Sequence, residues 1–97
     1  MFQISFTPEA IEDLRWFIKV DRKSIMEEIE TQLLHEPSTE TRNRKRLRPN
    51  QLAEWELRSG GFRVFFDVEE EARLIHIIAV GYKEGSRLFI RGVEYTL

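Results

Sequence analysis

Five cations without an acid fall in RNRKRLR, residues Arg42, Arg44, Lys45, Arg46 and Arg48. Starting at Trp55, WELRSGGFRVFFDV places Arg58 and Arg63 on the polar side of two alternating runs, with Glu54 and Glu56 beside them. Lys83 and Arg87 follow in YKEGSR. Clustered guanidinium and ammonium groups neutralise phosphates, so these residues could hold a polyanion or stabilise charge at a reacting phosphorus. The two carboxylates have the wrong sign for a simple nucleic-acid surface. Cysteine is absent and the two histidines are far apart, so neither thiol chemistry nor a clustered metal site is expected and no cofactor is implied.

Arg42 to Arg48 is a local feature of an acidic chain. The remainder carries ten cations against 17 acids, although the net charge is only −2. Such an asymmetry suits a specific anionic partner better than indiscriminate polyanion binding; the plain alternative is a solvated basic loop. Ninety-seven residues make one domain, residues 1–97, with one modest core. No apolar run is long enough for a membrane helix and MFQISFTPE has no leader character, so a cytoplasmic protein without membrane contact is expected.

The elements that position these groups follow from periodicity. Phe2, Ile4 and Phe6 alternate as a short strand. Thr7-Pro8-Glu9 then offers a hydroxyl N-cap, a proline at the first helical position and an acid in the first turn. Ile11, Leu14, Phe17 and Ile18 extend that helix to about Val20. Asp21 is placed to cap a second, with Ile25, Ile29 and Leu33 on its buried face, ending near His35. Pro37 to Asn43 reads as a loop leading into the basic segment. Beyond Pro49-Asn50 the period becomes two: Trp55 and Leu57 inward, Glu54, Glu56 and Arg58 outward, then a Gly60-Gly61 turn. Phe62, Val64, Phe66 and Val68 face one side of the next strand, and Arg63, Phe65 and Asp67 the other. Arg73 to Val80 is apolar on nearly both faces and therefore central. The expected fold is α+β: an N-terminal strand, a two-helix hairpin, then an antiparallel β-meander packed on the helices, its other face left partly open. Trp16, Trp55 and His76 are expected inside, and His35 at a helix C-terminus.

KRLR, WELRSGG, FRVFFDV, EEE, LIHIIAVG and YKEGSR, in that order over Lys45 to Phe89, resemble the RelE/ParE superfamily of bacterial toxins of type II toxin–antitoxin modules. No single piece is specific; the ordered set is. The resemblance implies a cytosolic toxin neutralised by a cognate antitoxin, with no metal. It implies translation repression by cleavage of mRNA on the ribosome, an endoribonuclease activity. A second branch instead poisons DNA gyrase, and a degenerate member would only bind a partner.

Metal-free RNA cleavage uses the 2′-hydroxyl as nucleophile and needs a base, an acid and cations for the phosphorane. By resemblance Arg63 holds the phosphate and Lys83 with Arg87 supplies further cations. Arg44, Lys45, Arg46, Arg48 and Arg58 would contact RNA at the rim, and Phe89 would stack on a base. Read as an ordinary surface residue, Arg63 would pair with Glu54, Glu56 or Asp67. The pattern departs from the ribonuclease branch in two places. Glu54 and Glu56 stand where lysines are usual, and Phe89 where a tyrosine is. Three accounts stay open: Glu54 or Glu56 is the base, Tyr82, Tyr95 or His76 transfers the proton, or RNA is not cleaved. The basic segment is also a natural landing place for an acidic antitoxin segment.

Overall fold

A computed structural model describes all 97 residues. The first strand, β1 (Gln3–Phe6), runs straight into α1 (Pro8–Trp16) through Thr7, whose side chain accepts a bond from the Ala10 amide at 3.0 Å. Pro8 loses nothing at the first helical position, where an amide would have had no partner. α1 ends at Trp16, short of the expected Val20, because Phe17 leaves the helical path to enter the core. There its ring meets Phe62 and Tyr82 edge-on. The second helix, α2 (Lys19–Leu33), therefore has Ile18 at its N-cap, which makes no side-chain cap bond; Asp21 sits inside the first turn.

Six strands follow in antiparallel order along the sheet: β2 (Arg44–Arg46), β3 (Trp55–Ser59), β4 (Phe62–Glu69), β5 (Leu74–Glu84), β6 (Arg87–Ile90) and β7 (Val93–Tyr95). β1 pairs in parallel with the first part of β5, Gln3 to Phe6 against Leu74 to Ile77. Gly60, at φ +57°, makes the β3–β4 turn, a conformation glycine adopts without a Cβ penalty.

The helix-facing side holds the main core. Ile25, Ile29 and Leu33 of α2 and Leu14 of α1 pack on Leu57, Val64, Phe66, Ile75, Ile77 and Val80. The opposite side is less open than its alternation suggests. Phe65 is wholly buried with Ala53, Ala79 and Leu88, flanked by Leu47, Leu52, Ile78 and Ile90. Two helices cannot cover both faces, so a loop does the second job. Asn50 pins residues 48–53 with four bonds to backbone groups of Arg48, Leu52 and Ala53.

β5 is central, but its second edge is shared. β1 pairs as far as Ile77 and β6 only from Tyr82, so Ile78 to Gly81 have no strand on that edge. Side chains fill the gap: Thr7 Oγ1 donates to the Ile78 carbonyl (3.1 Å) and Asp13 Oδ2 accepts from the Val80 amide (3.0 Å). Gly81 is required here, since a Cβ would lie 2.4 Å from the Phe89 carbonyl oxygen.

Candidate functional site: a cationic strip on the half-covered sheet face

The cross-strand register decides which cations share a face. Arg58 stands opposite Arg63, which stands opposite Gly81. Lys45 stands opposite Glu56 one row away. Lys83, two residues beyond Gly81, lies on the same side. Together they form a strip at the β3–β4 turn end, next to the apolar patch over Phe65. Like charges directly opposite one another on a sheet are destabilising unless something neutralises them. Glu56 does part of this: its carboxylate is 2% exposed and accepts from Arg58 Nε at 2.8 Å.

Arg63 is half-buried and held by its own hairpin. One terminal nitrogen donates to the Gly60 and Phe62 carbonyls, both at 2.8 Å, whereas the buried Nε has no partner. Burial pushes its pKa down, Glu56 pushes it up and Arg58 down again. Arginine stays protonated throughout, so the result is a rigid, incompletely paired cation. None of the paired carboxylates expected for it binds it directly: Glu54 lies 3.8 Å from Arg46, and Asp67 accepts from the Glu54 amide.

The basic segment does not act as one surface. Residues 44–46 are an edge strand, so successive side chains point to opposite faces. Only Lys45 joins the strip. Arg46 lies over the Trp55 ring at 5.6 Å on the helix side, and Arg48 lines a polar cleft with Asn50, Glu54 and Asp67. Arg44 is no rim cation. It is 8% exposed and donates to the Gln32 and His35 carbonyls at 2.6 and 3.3 Å, closing the C-terminus of α2. His35 is exposed and its side chain plays no part in that closure.

The remaining sequence-predicted residues are spread over both faces. Lys83 pairs with Leu88 and Arg87 with Glu84 in the β5–β6 register, so the two cations point to opposite faces. Arg87 is taken up by Glu94 (2.7 and 3.2 Å) and lies over the Phe89 ring. Phe89 stacks on Tyr82, which stacks on Trp16; the ring is away from the cationic strip and Trp16 is 47% exposed rather than interior. His76 is half-exposed, 3.4 Å from Glu69. Glu54 is on the surface while Glu56 is buried, so the two carboxylates do not form a matched pair. No group of three metal-ligating side chains comes together.

A second site was missed. Asp13, 2% exposed, reaches Arg91 Nε at 3.0 Å as well as Val80, and lines a cleft of about 650 Å³ with Thr7, Leu52, Ile78 and Ile90. Burial raises its pKa, and the Val80 bond and Arg91 oppose that rise. The available signal was an acid between Ala10, Leu14 and Phe17 on the apolar stripe of α1.

The profile of the family described as ParE toxin of type II toxin–antitoxin system, parDE, matches residues 4–86. The chain belongs to that family. The ParE-family fold is shared with solved toxin–antitoxin structures. One is RelBE2 from Mycobacterium tuberculosis: TM-score 0.73, 23% identity, 84% of this chain and 98% of that one covered. Another is the intact E. coli RelBE complex: TM-score 0.59, 20% identity, covering 87% and 99%. No curated protein matches the sequence. No helix of this ParE-family chain is long and apolar enough to cross a membrane.

Proposed function

We propose that this ParE-family protein is the toxin of a type II toxin–antitoxin module and acts in the cytoplasm on RNA, repressing translation by metal-free mRNA cleavage on the ribosome. The observation that carries the reading is the Arg58–Arg63 pair. Two guanidiniums directly opposite one another in adjacent strands cost stability and are suited to one phosphodiester. In the reaction the 2′-oxygen attacks phosphorus as it loses its proton, the bond to the 5′-oxygen breaks, and that oxygen takes a proton from water or from the bound complex, giving a cyclic phosphate and a 5′-hydroxyl. Arg58, Arg63 and Lys83 stabilise the charge that develops on the phosphorane. The face supplies no free base. Glu56 is bound to Arg58 and Glu54 lies by Arg46, so the 2′-hydroxyl proton passes to water or to a group of the bound complex. The relatives solved as toxin–antitoxin complexes support a cognate antitoxin as partner. The exposed Arg42, Arg46 and Arg48, which the strip does not use, suit an acidic antitoxin segment.

A second reading, a toxin directed at DNA gyrase, is favoured by one observation: Glu54 and Glu56 are both taken up by arginines, so the strip has no free proton-transfer group. Induced expression without an antitoxin separates the two. Protein synthesis stopping first, with new mRNA 5′ ends that vanish in Arg63→Ala, supports cleavage. Replication stopping first with intact mRNA supports gyrase, and unimpaired growth removes both.

A further inference from the structure

Glu56 is the oddity of the strip. A carboxylate 2% exposed, placed among Lys45, Arg58 and Arg63, weakens the attraction of this face for any anion. Its geometry assigns it another task. It binds Arg58 through Nε alone, at 2.8 Å, and the two terminal nitrogens of that guanidinium make no hydrogen bond within the protein. The Arg58 side chain is 42% exposed and stands across from Arg63. Arg63 is fixed in a complementary way, one terminal nitrogen tied to the Gly60 and Phe62 carbonyls. Both long side chains, which would otherwise sample many rotamers, are thus set before a ligand arrives.

We propose that Glu56 is a positioning residue: it anchors Arg58 by Nε so that Arg58 and Arg63 together grip a single phosphodiester of single-stranded RNA. This rests on the RNA-directed reading above. It also gives Glu56 a role other than general base. A residue that only tuned charge would have the opposite effect, because its removal would strengthen anion binding.

The test is fluorescence anisotropy with a labelled, fully 2′-O-methylated oligoribonucleotide, which binds but cannot be cleaved, over a salt series. Arg63→Ala is expected to weaken binding at least about tenfold, which establishes the site. Glu56→Gln keeps the acceptor for Nε and is expected to bind within about twofold of the parent, or tighter. Glu56→Ala, although it removes a negative charge, is expected to bind about tenfold more weakly. In an Arg58→Ala background the same change is expected to have no further effect. Arg58→Lys, which keeps the charge without an Nε to hold, is expected to resemble Glu56→Ala and does not depend on that variant folding. Tightening in both the Gln and Ala variants, or indifference to both while Arg63→Ala still weakens binding, overturns the positioning role alone. Absence of any Arg63-dependent binding overturns the RNA reading and this inference with it.

Discussion

Replacing Arg44 tests whether the basic segment was correctly divided between fold and surface. Arg44→Met keeps much of the aliphatic volume and removes the guanidinium. Two bonds to the Gln32 and His35 carbonyls are lost, and with them the cation at the negative end of α2. Bonds to a charged donor are worth about 1.5–3 kcal/mol, and a partly buried cation at a helix C-terminus adds up to about 2. These overlap, so the expected loss is about 2–4 kcal/mol. In a domain of this size that lowers Tm by about 10–25 °C, read by circular dichroism on heating. Arg42→Ala and Arg48→Ala, both exposed, should change Tm by little. If Arg44→Met melted within about 2 °C of the parent, the residue would be an ordinary surface cation and the closure of α2 would be wrong.

Gly81→Ala should cost about 2–3 kcal/mol or prevent folding, since a backbone oxygen occupies the Cβ position; urea unfolding reads it. Arg63→Gln relieves the like-charge pair and should stabilise the fold by up to about 1 kcal/mol while abolishing toxicity. Arg58→Ala should instead destabilise by about 1–3 kcal/mol, because it leaves the Glu56 carboxylate buried without its partner. Asp13 has a pKa raised above 3.8 by burial, so the folded state binds its proton more tightly than the unfolded. Its contribution to stability is fullest below that value and is lost as pH rises through the folded pKa. The stability of the parent relative to Asp13→Asn should therefore fall with rising pH over that window, measured by urea titrations at successive pH.

Local rules carried the reading wherever the answer lay within a few residues. Thr7-Pro8 fixed the start of α1, and the alternation from Trp55 to Val68 fixed which side of β3 and β4 met the helices. Long-range packing decided the rest. Arg44 and Lys45 are neighbours of like chemistry, separated only because residues 44–46 pair with β3 as an edge strand. Phe65 looked solvent-facing because the covering loop around Leu47, Leu52 and Ala53 has no periodicity of its own. Trp16 matched the apolar stripe of α1 yet ends outside, because Phe17 took the core position and Trp16 closed over Tyr82. Arg87 and Lys83 are four residues apart in a hairpin, where the register, invisible in the sequence, sends them to opposite faces. Asp13 serves a gap in β5 that exists only once β1 and β6 have both docked.

Two guanidiniums beside a half-covered sheet are the phosphate grip of the proposed function. Nitrogen-15 spectra of the arginine Nε–H groups, recorded while a non-cleavable oligoribonucleotide is added, test this most directly. The Arg58 and Arg63 signals should shift together and saturate at one concentration. Shifts confined to Arg42, Arg46 and Arg48, with Arg58 and Arg63 unmoved, would contradict it.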